Sequence, residues 1–173
     1  MPRRIVYTRH DGGVAIVHPA AEVIAHLNSG DFWKYAGRGF ADRQIESQVT
    51  RGVDERAARR YVKAMLEGGC TDAEALDIIR DRDCGHLGTA FELWDVSAVP
   101  TDRWFRDAWR RSHNGGPIYI DMTKARRGHL RRLRQAARRG NATLQWGKWR
   151  DRCRKAATPH ELRDLWPKHI ERT

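Results

Sequence analysis

Between residues 103 and 155 this 173-residue chain carries 17 Lys and Arg, all but three of them Arg, against three acids, Asp107, Asp121 and Asp151. No other feature limits the fold as strongly. A segment with a net charge of +14 repels itself, so it can be compact only on a thin apolar stripe with its cations turned outward. The rest of the chain is close to balanced. Residues 1–102 hold 13 Lys and Arg and 16 Asp and Glu, and residues 156–173 hold three of each. The overall charge of +11 therefore comes from one stretch, and such asymmetry points to a site for a polyanion. Arginine, which dominates it, forks onto phosphate or carboxylate and stacks on flat rings.

Within that stretch the spacing predicts one long helix over residues 122–139. Met122, Ala125, Leu130, Leu133, Ala136 and Ala137 form its apolar stripe, and Arg126, Arg127, Arg131, Arg132, Arg134, Arg138 and Arg139 occupy the remaining surface with no acid among them. Arg127 with Arg131, and Arg134 with Arg138, stand at i, i+4, where like charges destabilise a helix. Solvated faces ordinarily mix signs, so an external polyanion or acidic partner is expected to offset the repulsion. Gly140-Asn141 is a helix-stop signal. Upstream, Asp102-Arg-Trp-Phe-Arg-Asp-Ala-Trp-Arg110 reads as a helix over about 102–111. Arg103, Arg106 and Arg110 would share one face of it, and Trp104, Phe105, Ala108 and Trp109 another. Those aromatics are expected to be core, with a base-stacking surface as the alternative. Thr158-Pro159-His160-Glu161 starts a short helix that ends before Pro167.

The N-terminal part has a different texture. Arg4–Thr8 and Val14–His18 are β-branched runs around Asp11-Gly12, which predicts a β-hairpin. A short helix follows over 20–28, then a Gly- and aromatic-rich loop over 29–40. Residues 53–83 read as a helical hairpin, with Asp54 capping the first helix, Gly68-Gly69 ending it, and Thr71 with Glu74 forming a capping box for the second. Residues 90–96 and 117–120 read as strands around a turn at 113–116. The expectation is an α+β protein: an N-terminal β-hairpin in a small antiparallel sheet, a helical-hairpin insert, and Arg-rich C-terminal helices. Its division would be a core over 1–120 and a basic helical region over 121–173.

Several function classes lack their signatures. The hairpin at 53–83 has the outline of a helix-turn-helix, but its second helix carries Asp72, Glu74, Asp77, Asp81 and Asp83 against Arg80 and Arg82, which phosphate would repel. There is no Gly-rich phosphate loop and no His pair at i, i+4, and Cys84, His86, Asp83 and Cys70 lack the paired spacing of zinc ligands. No enzymatic activity, cofactor or metal is expected. Three cysteines, Cys70, Cys84 and Cys153, make no disulfide framework and fit a reducing cytoplasm. No apolar run reaches membrane-spanning length, and the N-terminus reads as a first strand and not as a signal peptide.

Arg9-His-Asp-Gly-Gly-Val14, Asp102-Arg-Trp-Phe-Arg-Asp-Ala-Trp109 and Asp121-Met-Thr-Lys-Ala-Arg126 resemble segments of small proteins from prophage-like regions of proteobacteria. Those proteins carry an R-x-D-G-G-V hairpin, a D-R-x-F-R-x-A-W helix and a D-M-x-K-A-R helix start. Some end in a segment similar to Thr158-Pro-His-Glu-Leu-Arg-Asp-Leu-Trp-Pro167. The resemblance covers the ends, leaves residues 20–90 as an insertion, and does not extend to the basic run at 126–139. It implies a tail-region assembly or accessory role and supplies no catalytic residue. The sequence thus leads to a non-enzymatic protein that binds DNA or RNA through its Arg-rich C-terminal helices. The alternative is an assembly or accessory protein gripping an acidic protein partner, and a homo-oligomer is compatible with either.

Overall fold

The computed structural model describes residues 3–30, 33, 35–37, 39–139 and 144–167. The fold is α+β and opens on the expected hairpin. Strand β1 (Arg3–Arg9) pairs with β2 (Val14–Val17), Ile5 opposite Val17 and Tyr7 opposite Ala15. The turn closes through Arg9 N donating to Gly13 O at 2.8 Å and Gly13 N donating to Asp11 Oδ1 at 2.8 Å, with Gly12 at φ 74°. That left-handed φ is the one a side chain resists and glycine accepts. Three helices of the N-terminal half follow the sequence reading. They are α1 (Ala21–Ser29), then α3 (Glu55–Glu67) and α4 (Asp72–Asp83), while α2 (Phe40–Thr50) lies between them in a stretch given no element above. Helix α2 has no buried residue; half-buried Ala41 and Ile45 pack on the core, Phe40 meets Trp33 edge to face at 5.1 Å, and no side-chain cap marks the helix start at Gly39. Of the loop expected over 29–40, residues 31, 32, 34 and 38 lie outside the described residues.

Both predicted caps are made. Asp54 accepts from Ala57 N at 3.0 Å, and Thr71 and Glu74 form the reciprocal capping box. Gly68 and Gly30 pack so closely that a Cβ on Gly68 would sit 2.5 Å from Ser29 C. That contact explains why α3 ends on glycine. Strand β3 (Gly88–Asp95) completes a three-stranded antiparallel sheet in the order β2-β1-β3. One sheet face and the helices bury Ile5, Tyr7, Leu27, Tyr61, Val62, Met65, Ile78, Ile79 and Cys84 together. Cys84 thus behaves as a small apolar core residue at a helix end.

The chain divides into two compact units, residues 1–99 with 112–116, and residues 100–111 with 117–173. The division falls at Val99 and not at residue 120, because Phe105 and Ala108 bury themselves with Ala125, Cys153 and Leu162 of the basic region. Strands β4 (Trp109–Ser112) and β5 (Gly115–Ile120) form a two-stranded ribbon. Its tip belongs to the first unit, where Thr8 Oγ1 donates to Ser112 O at 2.9 Å.

The helix expected over 102–111 is absent. Asp102 Oδ1 accepts from Trp104 N at 2.9 Å in a local turn, a single 3-10 turn spans Arg106–Ala108, and β4 begins at Trp109. Asp102 favours this turn because its side chain offers the backbone a local alternative to the helix. The ribbon then takes up the backbone of Trp109–Ser112. As expected of core aromatics, Trp109 is buried and Trp104 half-buried, although no helix presents them.

The second unit is otherwise helical: α5 (Met122–Arg139), α6 (Trp146–Lys155) and α7 (Pro159–Asp164). Thr158 caps α7 by accepting from Glu161 N at 3.2 Å, with Pro159 at the first helical position. The helix-stop signal at Gly140-Asn141 lies outside the described residues. No helix among the described residues is long and apolar enough to cross a membrane.

Candidate nucleic-acid interface

Helix α5 is the backbone of the site. It starts at Asp121, whose Oδ1 accepts from Lys124 N at 3.0 Å. It buries Ala125, His129, Leu133, Ala136 and Ala137, with Met122 and Leu130 half-buried beside them. His129 is fully enclosed, its ring 5.5 Å from Trp166 and 6.4 Å from both Trp104 and Phe105. The inward stripe is therefore one residue richer than the apolar pattern implies.

The outward side of α5 sorts the arginines. At 100° per residue, Lys124, Arg127, Arg131, Arg134 and Arg138 fall within an arc of about 80° opposite the buried stripe and span about 21 Å of helix axis. All but Lys124 are exposed members of the predicted arginine run, and Lys124 is exposed too. Among the described residues the one acid ion-paired with them is Asp107, whose Oδ2 lies 3.9 Å from Arg131 Nη2. Neighbours along the ridge stand about 5–6 Å apart at Cβ. That is inside the Debye length of about 8 Å at physiological salt, so they act on a polyanion collectively.

The other predicted arginines do different work. Arg126 points back across the unit, and its Nε and Nη2 donate to Ala156 O at 3.3 and 2.8 Å, satisfying a carbonyl at the C-terminus of α6. Arg132 is half-buried, 5.1 Å from the Trp104 ring centre and 6.0 Å from that of Phe105. Burial draws its pKa down from the usual value, and Asp107 partly offsets this. Arg139 is exposed but lies on the flank of the ridge. Arg103 and Arg106 are exposed on the turn that replaces the expected helix. Arg110 is buried, its Nη1 donating to Trp109 O at 2.6 Å. Arg103, Arg106 and Arg110 thus share no helical face.

Helix α6 adds Lys148, Arg150, Arg152, Arg154 and Lys155 against one acid, Asp151, which sits 3.9 Å from Arg154. It also places two aromatics that the sequence reading did not single out. Trp146 and Trp149 are half-buried against the cluster of Leu133, Ala136, Ala137 and Trp166. Each has a guanidinium above its ring: Arg134 at 5.4 Å from the Trp146 centre and Arg152 at 4.8 Å from that of Trp149. At an exposed site such a contact contributes about 0.5–1 kcal/mol. The signal available in the sequence was the Trp-Gly-Lys-Trp spacing, which puts both indoles on one face of any helix through residues 146–149.

The whole second unit holds 20 Lys and Arg and seven acids, a net charge of +13. The helices of the first unit form a contrast within the same chain. There Arg59 pairs with Glu55 at 2.7 Å, Arg80 with Asp77 at 2.7 Å, and Arg60 with Asp81 at 3.3 Å. No protein-family model matches this chain, and neither does any curated protein or solved structure.

Proposed function

We propose that this chain is a non-enzymatic nucleic-acid-binding protein whose contact surface is the outward ridge of α5. The observation that carries the reading is the ridge itself: Lys124, Arg127, Arg131, Arg134 and Arg138 lie in one row whose one ion pair among the described residues is the 3.9 Å contact of Arg131 with Asp107. On helices α3 and α4, by comparison, Arg59 pairs with Glu55 at i, i+4 and Arg80 with Asp77 at i, i+3. The ridge forgoes that, at a cost of a few tenths of a kcal/mol per like-charged pair. A row of phosphates offsets the cost, because each neutralised phosphate releases condensed counterions. Arg126 and Arg132 hold the ridge in place from behind, one through the α6 carboxyl end and one through the Trp104 ring.

The test is binding of random-sequence oligonucleotides by the parent chain and by the variant carrying Arg127→Gln, Arg131→Gln, Arg134→Gln and Arg138→Gln. The proposal expects the variant to lose most of its affinity while melting like the parent. Equal affinity for the two proteins refutes it. The resemblance to prophage-encoded proteins favours an acidic protein as the partner instead. That reading expects nuclease treatment to leave the partner of the parent chain bound.

A further inference from the structure

Resting on the nucleic-acid reading above, we propose that the preferred ligand is single-stranded, and that an unpaired base stacks at Trp146 beside the α5 ridge. Three observations meet at that point. Arg134 is at once a member of the ridge and the guanidinium lying over the Trp146 ring, 5.4 Å from its centre. Trp146 is only half-buried, so part of its indole is left uncovered by the Leu133–Ala137 cluster beneath it. Trp149, one helical turn further along, repeats the arrangement with Arg152 at 4.8 Å. Two tryptophans with arginines over them, at the border of a cationic row, are the parts of a stacking platform joined to a backbone track.

A phosphate row alone does not distinguish a duplex from a single strand. The indoles do, because the bases of a duplex are already stacked on each other and show an aromatic side chain only their edges. Stacking on a base is the stronger of the two contacts open to Trp146, compared with an exposed cation–π contact. A base arriving at Trp146 therefore takes over ring surface from Arg134, or layers on its guanidinium plane. In the first case Arg134 is released to the neighbouring phosphate. The segment Asp102–Trp109 cannot play this part, since Trp109 and Phe105 are buried and Trp104 packs edge-on against Trp166 at 5.3 Å.

The decisive comparison uses the parent chain with two oligonucleotides of equal length, an oligothymidine strand and an abasic strand with the same phosphates. The proposal expects the oligothymidine to bind about tenfold tighter, the lower part of the range for stacking one base. Trp146→Leu should remove most of the difference and leave abasic-strand affinity intact, whereas Trp146→Phe, which keeps a ring face, should retain most of it. A uridine strand in place of thymidine gives the RNA arm, and a stacking difference in either arm supports the proposal. Equal binding of base-bearing and abasic strands, or tighter binding of a duplex of the same length, overturns the stacking proposal and leaves the ridge standing. Failure of every strand to bind in a salt-dependent way overturns the ridge and the stacking proposal together. Thermal melting of both Trp146 variants confirms that the folded unit is being compared.

Discussion

Arg126 and Arg127 are neighbours in sequence with opposite roles, and replacing each by alanine separates them. Arg126 makes two charge-assisted hydrogen bonds, 3.3 and 2.8 Å, to the carbonyl of Ala156, a residue 6% exposed at the end of α6. Hydrogen bonds to a charged group contribute about 1.5–3 kcal/mol, and a buried carbonyl left without a donor adds to the loss. For a unit of this size each kcal/mol moves the melting temperature by about 4–8 °C, so Arg126→Ala should lower it by on the order of 10 °C. Arg127 is exposed and forms no ion pair among the described residues. Arg127→Ala should therefore change stability by less than about 0.5 kcal/mol, and in the stabilising direction where it relieves repulsion from Arg131. In binding the order reverses. Arg127→Ala should reduce the magnitude of the log–log salt slope by about 0.7 on a single strand, while Arg126→Ala leaves it unchanged. Calorimetry gives the first quantity and fluorescence anisotropy across a salt series the second. If Arg126→Ala melts like the parent and loses salt dependence, the division of arginines into inner and outer sets is wrong.

Phe105 is 1% exposed in the cluster with Ala108, Ala125, Cys153 and Leu162, so Phe105→Ala should cost about 3–5 kcal/mol, read by urea denaturation. Alkaline pH should also destabilise the fold. Burial, helped by Asp83, pushes the Cys84 thiol up to about 11 from its ordinary value of 9.0. Above the ordinary value the unfolded chain releases a proton that the native state keeps, so stability is fully present below pH 9 and falls as pH rises from there towards 11. Cys84→Ala should flatten part of that fall in urea titrations. The rest should remain, because burial raises the Tyr7 phenol as well.

The parts of the fold that show in the sequence are those with strong local chemistry. Asp11-Gly12, Asp54, Thr71 with Glu74, and Thr158-Pro159 each fix a turn or a helix start by themselves, and the structure has an element at every one. Helix α2 escapes notice because no capping side chain marks its start: it opens after Gly39, with no side-chain cap hydrogen bond. The segment 102–111 misleads for another reason. Its aromatic period fits a helix, but burial of Phe105 and Ala108 against α5 and α6 is achieved equally by a compact turn. Periodicity records which residues are buried without recording the path between them. The same limit applies to the site. The run of arginines is plain in the sequence, whereas the inner role of Arg126 depends on a carbonyl 30 residues away. Lys124 was legible, since it continues the row of Arg127, Arg131, Arg134 and Arg138 by helical spacing.

Five cations on one helix face acting together on phosphates would set the salt dependence of oligonucleotide binding, and a salt series reads how many of them engage. If all of Lys124, Arg127, Arg131, Arg134 and Arg138 engage a single strand, log affinity should fall against log salt with a slope of about −3.5. With the four arginines changed to Gln, the slope should shrink to about −0.7, the share of Lys124 alone. An affinity indifferent to salt, or a slope that survives loss of the four arginines, would show that the ridge does not bind phosphates.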